Sequence, residues 1–266
     1  MKWTEEAEKA IEKAPFFVRK KVRARVENEA MAAGRKVVTI LDVKIAQKRY
    51  LTNMSSEIKG FQLDTCFGSV GCSNRAVESN SLFNSLENML AKEDILNFLK
   101  QNIGDNIKFH HELRVTLADC PNACSQPQIK DIGIIGANIP KITENECKLC
   151  GQCVDICKEN AITMNEKECM PKIDHDLCIK CGQCIKECPT GTIFGEKAGF
   201  RVLLGGKLGR HPRLAEELPG IFSEDEILKI VQKCIDYYKK NSKNGARFAD
   251  IYNGRQFFQK TLEGIV

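Results

Sequence analysis

At 266 residues, with 28% charged residues and a net charge of +5, the chain is long enough for one sizeable core plus a smaller unit and too weakly basic for a dedicated nucleic-acid binder. It contains no run of the ~20 apolar residues that span a bilayer, and residues 1–21 mix charges into every turn where a secretory leader needs an apolar stretch. A cytoplasmic location is the expectation, and in that reducing setting twelve of the fourteen cysteines read as metal ligands, not as a disulfide scaffold.

Residues 1–58 are predicted helical: Trp3, Ala7, Ile11, Phe17, Val18, Val22, Val26 and Met31 are spaced for one apolar face, with Gly34 as the stop. Residues 59–139 alternate short apolar runs with helix. Ser81 to Gln101 carries Leu82, Leu86, Met89, Leu90 and Phe98 on a helical stripe, and Leu113–Leu117 and Ile132–Ile135 read as strands. Residues 140–198 hold two cysteine runs. In residues 199–266, Phe200–Leu204 reads as a strand ending in Gly205-Gly206, and Ser223-Glu-Asp-Glu226 forms a capping box ahead of Ile227, Ile230, Val231, Cys234 and Tyr238. The expected class is α+β, with residues 140–198 inserted into a unit built from 59–139 and 199–266, behind a helical leader at 1–58.

The inserted section holds the one clear repeat. Cys147-Lys-Leu-Cys150-Gly-Gln-Cys153-Val-Asp-Ile-Cys157 and Cys178-Ile-Lys-Cys181-Gly-Gln-Cys184-Ile-Lys-Glu-Cys188 superimpose with a shift of 31 positions. Structural zinc uses two well-separated C-x-x-C pairs, whereas three cysteines at two-residue gaps wrap the face of a cubane. The pattern resembles a bacterial-type ferredoxin with two 4Fe–4S clusters. That resemblance implies one cluster on Cys147, Cys150, Cys153 and Cys188 and a second on Cys178, Cys181, Cys184 and Cys157. Pro189 follows the second run as in the family; Lys158 replaces the proline after the first.

Four further cysteines, in Cys66-Phe-Gly-Ser-Val-Gly-Cys72 and Cys120-Pro-Asn-Ala-Cys124, give C-x5-C followed by C-x3-C. With Lys130-Asp-Ile-Gly-Ile-Ile-Gly136 and Phe200-Arg-Val-Leu-Leu-Gly-Gly-Lys-Leu-Gly-Arg-His-Pro-Arg213, this resembles the sulfite and nitrite reductase hemoproteins, and the inserted ferredoxin resembles their dissimilatory and anaerobic subgroup. The resemblance implies a third 4Fe–4S cluster on Cys66, Cys72, Cys120 and Cys124, with Cys124 bridging to siroheme. It implies reduction of sulfite to sulfide, in an anaerobic setting, with electrons from an external ferredoxin-like donor. Nitrite reduction, or a non-catalytic electron-transfer or tetrapyrrole-handling role, is the alternative. Only one siroheme-binding half is present, so a second copy of the chain or another subunit is expected to complete the pocket. Trp3, Ala14-Pro-Phe-Phe-Val-Arg19 and Glu27–Gly34 resemble the small helical domain that ends one of the chains of light-independent protochlorophyllide reductase.

Siroheme is rich in carboxylates and the substrate is an oxyanion, so arginine and lysine beside these motifs are the candidate contacts. Lys207 and Arg210 are assigned to the substrate, and Arg75, Asn122, Lys130, Gly205 and Gly206 to the cofactor; Arg114, Arg201, His211 and Arg213 are further candidates. Each cation alone also reads as a solvated surface charge, and Asn122 equally as a turn cap. The basic run Arg19, Lys20, Lys21, Arg23 and Arg25 reads as a solvated helix face or a docking surface. Cys234 reads as core, Cys169 has no ligand spacing, and His110, His111 and His175 read as structural.

Overall fold

The computed structural model describes residues 1–12, 14, 16–47, 58–104, 107–165, 167–254 and 257, and it divides into two compact units, Met1–Ile58 and Lys59–Val266. In the first unit β1 (Lys2–Trp3), α1 (Glu5–Ile11), α2 (Phe16–Ala32), β2 (Val37–Val38) and α3 (residues 40–47) follow in order. Thr4 caps α1, its Oγ1 accepting from Ala7 N at 3.4 Å, and Glu5, Glu6 and Glu8 complement the helix dipole in the first turn. Ala7, Val26, Ala30, Val38 and Val43 form the core, with Trp3 and Val22 packed against it. Two differences from the helical expectation stand out. β1 and β2 form a parallel pair of two residues each, too short for any periodicity to reveal, and Met31 is 54% exposed, off the apolar face. The side chains of Phe17 and Val18 lie outside the described residues. Within the basic run, Arg19 donates to Glu12 O and Ala14 O, and Arg23 lies over the Trp3 ring at 4.4 Å while pairing with Glu8.

The second unit is built on a five-stranded sheet in the order β3 (Phe61–Thr65), β4 (Leu113–Ala118), β5 (Ile132–Ile142), β8 (Ile193–Leu204), β9 (Glu216–Glu217), the first three parallel and the rest antiparallel. Alternation along the strands gives the sheet two unlike faces. One carries Leu113, Val115, Leu117, Ile132, Ile134, Val202 and Leu204, all buried. This is the core face, toward α4 (Asn80–Lys92) and α8 (Glu224–Asn241). The opposite face carries Arg114, Thr116, Gly133, Ile135, Arg201 and Leu203, which the register sets side by side. The chain after Cys120 covers part of it, with Ala123 and Ala215 packed on Ile135 and Leu203.

The helical stripe over 81–101 is two helices, α4 and α5 (Ile95–Ile103), because Asp94 takes a left-handed conformation (φ 45) that ends the first. The joint is held by Lys239 of α8, whose ammonium bonds both Glu93 O and its carboxylate. The Ser223 capping box forms as the sequence predicts: Glu226 N donates to Ser223 Oγ at 3.4 Å and Ser223 N donates to Glu226 Oε2 at 2.7 Å. Cys234 is fully buried in α8. α9 (Phe248–Ile251) follows.

β5 and β8 are longer than their apolar cores suggest. They leave the sheet together as a two-stranded ribbon with an irregularity at Ile139/Pro140, so residues 140 and 199 fall inside strands. At its end sit α6 (Gln152–Ile156), the hairpin β6 (Ile162–Asn165) and β7 (Met170–Ile173), and α7 (Gln183–Glu187). Among the described residues, no helix is long and apolar enough to cross a membrane.

Candidate metal centres and cofactor face

β3 and β4 end level with one another, Thr65 opposite Leu117, and so deliver Cys66 and Cys120 to the same sheet edge. A 3-10 turn (Phe67–Val70) closed by left-handed Gly71 (φ 102) returns Cys72, and left-handed Ala123 (φ 51) turns the chain between Cys120 and Cys124. Burial pushes the Cys120 thiol up from its ordinary range against a backbone hydrogen bond from Asn122, and Cys66, Cys72 and Cys124 push it further. Cys66 Sγ accepts N–H bonds from Gly68 and Asp119, each at 3.3 Å. Such bonds stabilise a thiolate and tune a bound iron centre.

Asp119, which sequence reasoning missed, ties this edge together. It is 1% exposed, Oδ1 accepts from Ser79 Oγ at 2.5 Å, and its carbonyl accepts from Ala76 N and Val77 N. Gly68 is obligatory beside it, since a Cβ there would run into the Asp119 carboxylate. An acidic residue closing an apolar strand one position before a candidate ligand cysteine was the available signal.

In the inserted module the two repeats fold alike. Leu149 and Lys180 (φ 59 and 63) and Gly151 and Gly182 (φ 74 and 70) are left-handed at matching positions, and α6 and α7 follow each. One cavity is lined by Cys147, Cys150, Cys153 and Cys188; a second, of about 150 Å³, by Cys157, Cys178, Cys181 and Cys184. Each run thus lends its fourth cysteine to the other cradle. Backbone N–H groups of Leu149, Ala161 and Ile193 donate to the sulfurs of Cys147, Cys157 and Cys188 at 3.3–3.4 Å. Burial raises the Cys153 and Cys178 thiols and, reinforced by neighbouring thiolates, pushes Cys184 up to about 12. At Cys188 burial is outweighed by hydrogen bonds from Ile193, Thr190 and Gly191, and its thiol titrates below the ordinary range. Among the described residues, no three His, Cys, Asp or Glu side chains close on a single metal-ion position; the thiols surround spaces instead.

The second cradle meets the first edge. Its cavity is also lined by Cys120, Pro121, Asn122 and Asn74. Asn138 N donates to Lys180 O at 2.8 Å, and from α7 Gln183 Nε2 donates to Asn74 O at 3.1 Å and Lys186 Nζ to Ser73 O at 3.0 Å. Arg75 and exposed Asn122 therefore stand at this seam, Arg75 paired with Glu78 at 3.5 Å.

The remaining candidates gather around the Gly205-Gly206 turn. Gly206 lies on the backbone after Cys124, where a Cβ would meet Gln128 O at 2.5 Å and Lys130 O at 2.8 Å. Lys207 and Arg213 bridge each other at 2.9 Å in both directions, closing a tip of Leu208 to Pro212 on which Arg210 and His211 are exposed. Lys207 pairs with Asp250, Lys130 with Asp64 at 3.0 Å, and Arg201 with Glu217 in a two-pronged contact. Arg213 is a staple: its guanidinium donates to Gly205 O and Ala249 O. Among the described residues, Arg114 Nε is buried with no hydrogen-bond partner. Cys169 is exposed on the module; the rings of His110 and His111 meet edge to face with centroids 4.1 Å apart, and exposed His175 sits just before Cys178.

Comparison with known proteins bears on this arrangement. A family profile described as the nitrite and sulphite reductase 4Fe-4S domain matches residues 61–254, and one described as the proto-chlorophyllide reductase 57 kD subunit matches residues 3–47. A coenzyme F420-dependent sulfite reductase of Methanocaldococcus jannaschii is 31% identical over 208 residues, covering 77% of this chain and 30% of the relative. One subunit of the anaerobic sulfite reductase of Salmonella typhimurium is 35% identical over 52 residues, covering 20% of this chain and 15% of that one. One subunit of the light-independent protochlorophyllide reductase of Chlorobium limicola is 56% identical over 39 residues, covering 15% of this chain and 7% of that one. The crystal structure of dissimilatory sulfite reductase I aligns over 81% of this chain and 56% of that one, with 17% identity and a TM-score of 0.47. The chain spans less than a third of the length of the F420-dependent relative.

Proposed function

Because the chain belongs to the nitrite and sulphite reductase 4Fe-4S domain family, we propose that it is the siroheme-binding part of an oxidoreductase that reduces sulfite to sulfide, holding three 4Fe–4S clusters. The observation that carries this reading is the cavity shared by Cys157, Cys178, Cys181 and Cys184 with Cys120, Pro121 and Asn122, which sets an electron-carrier cradle directly against the third set of thiols. Sulfite is favoured over nitrite because the relative covering 77% of this chain is named a sulfite reductase.

The residues fit the implied groups. Buried thiols whose ionisation is opposed by burial, as at Cys120 and Cys184, ionise when iron supplies the compensating charge. The orphaned Nε of Arg114, with Lys130 and Arg201 along the same face, suits a ligand carrying several carboxylates. When bound, the clusters supply one-electron storage and siroheme an iron centre for the oxyanion. The chain's own part is to hold and neutralise. Cys66, Cys72, Cys120 and Cys124 would hold the third cluster, with exposed Cys124 on the side where siroheme would bind. Lys130, Arg201 and Arg75, now paired with Asp64, Glu217 and Glu78, would hold the cofactor's carboxylates, while Lys207 and Arg210 would draw in the anion. A donor of ferredoxin type and a second copy or partner subunit complete the assembly.

The test is anaerobic absorption spectroscopy with sulfite and then nitrite. The reading requires siroheme bands that shift with sulfite, and iron and acid-labile sulfide for three clusters. Sulfide for two clusters only, with no tetrapyrrole band, refutes it; a shift with nitrite alone reassigns the substrate.

A further inference from the structure

The inserted module joins the sheet covalently only through β5 and β8, and that ribbon is interrupted at Ile139/Pro140. A break in register bends and twists a paired ribbon, so contacts across the seam share with the ribbon in fixing the spacing between the second cradle and the Cys66–Cys72 loop. The side-chain contacts made by α7 converge on one segment. Lys186 Nζ donates to the carbonyls of Ser73 and Arg75, and Gln183 Nε2 to the carbonyl of Asn74 between them, so three successive carbonyls after Cys72 are bound by one turn of α7. The far side of the segment is fastened too: Ala76 N and Val77 N donate to Asp119 O at 2.8 and 3.2 Å, and Asp119 N donates to Cys66 Sγ. A continuous hydrogen-bonded path therefore runs from the helix that follows Cys181 to the sulfur of Cys66.

The repeat makes this more than a chance surface contact. Shifting by 31 positions puts Gln152 opposite Gln183, but Asp155 opposite Lys186. Two helices with the same cysteine scaffold differ in charge at position 186, one of the two from which α7 reaches across. An ammonium is the right group for two carbonyl oxygens, with donors to spare and no acceptor, and a carboxylate there would be repelled. Lys186 has no acidic partner among the described residues' ion pairs; its charge is spent on the seam.

We propose that Lys186, assisted by Gln183, is a positioning residue that clamps the inserted module onto the Ser73–Arg75 segment and so fixes the separation of the second and third cluster sites. The claim rests on the proposed function only in taking those cysteines as cluster ligands. The clamp itself is tested apart from activity, on the full chain with its clusters, in Lys186→Glu, Lys186→Met and the conservative Lys186→Arg. Amide exchange of Arg75, Ala76 and Val77 should accelerate about tenfold, equivalent to about 1.4 kcal/mol, in Lys186→Glu and Lys186→Met, and return to the wild-type rate in Lys186→Arg. Iron and sulfide content should stay at the wild-type level, while the magnetic interaction between the reduced centres weakens and donor-driven reduction of the third cluster slows about tenfold. Unchanged exchange at all three amides in Lys186→Glu overturns the clamp. Faster exchange with an unchanged magnetic interaction and reduction rate overturns its role in spacing the centres. A wild-type protein that holds no clusters would instead sink the proposed function, leaving the exchange result to stand by itself.

Discussion

Gly206→Ala turns the packing under the cofactor face into a measurable quantity. The new methyl carbon would lie 2.5 Å from Gln128 O and 2.8 Å from Lys130 O, where a carbon–oxygen contact needs about 3.3–3.6 Å. Both obstacles are backbone, in the turn Pro127–Ile129 and at Lys130, and Gln128 O already accepts from Ala215 N at 2.7 Å, so no side chain can swing aside. The Lys207–Arg213 hairpin must lift by roughly an ångström. Overpacking of this kind costs about 1–3 kcal/mol, and weakening the Ala215–Gln128 bond adds about 1 kcal/mol. For a unit of this size each kcal/mol lowers the melting temperature by about 2–4 °C, so a drop of about 4–16 °C is expected by near-ultraviolet circular dichroism under anaerobic conditions. Siroheme content per chain should fall with it, because the hairpin carries Lys207 and Arg210. Gly209→Ala is the control. That position is left-handed (φ 119) with nothing among the described residues within 4 Å of a Cβ, so it should show only local strain of about 1–2 kcal/mol in an exposed tip. Wild-type melting and wild-type tetrapyrrole content in Gly206→Ala would refute the reasoning.

Cys181→Ser should remove one cluster's worth of acid-labile sulfide and slow reduction by an external donor while leaving bound siroheme in place; equal loss of siroheme, read by absorbance, contradicts that separation. Cys124→Ser should abolish magnetic coupling between the third cluster and siroheme, and a variant with the coupled spectrum intact would rule out a shared thiolate. The double variant Lys207→Ala/Arg210→Ala removes charge-assisted contacts each contributing about 1.5–3 kcal/mol, at about 1.4 kcal/mol per decade. It should lower siroheme occupancy or raise the sulfite requirement at least tenfold, and unchanged values of both would make the two residues surface charges. Burial, with the charges of His110 and Lys108, holds His111 below 6.5, and its neutral ring accepts from Lys108 N at 3.0 Å. A depressed histidine contributes stability that is complete above pH 6.5 and lost as pH falls through the lower folded value. The wild-type denaturation midpoint should therefore drop on going below that pH more steeply than that of His111→Asn, and parallel profiles would refute it.

Much of this chemistry was legible in the sequence because its determinants are local. Three cysteines at two-residue gaps define a cradle through a few left-handed residues, Leu149 and Gly151 in one repeat and Lys180 and Gly182 in the other, and the Ser223 capping box needs only four consecutive residues. Only the apolar cores of the strands are legible, since Asn138 to Ile142 and Ile193 to Gly199 leave the sheet and lose its alternating burial. The helix over 81–101 reads as continuous because the stripe persists through Asp94, where the Lys239–Glu93 contact, 146 residues apart, holds the break. Only the tertiary structure brought Asp119 onto Cys66 and Gly68, turned Arg213 into a staple, and joined α7 to the Ser73–Arg75 carbonyls more than a hundred positions away. Cysteine spacing is written in neighbouring residues, whereas the distance between one cradle and the next is set by which remote segments the folded sheet and its ribbon bring into contact.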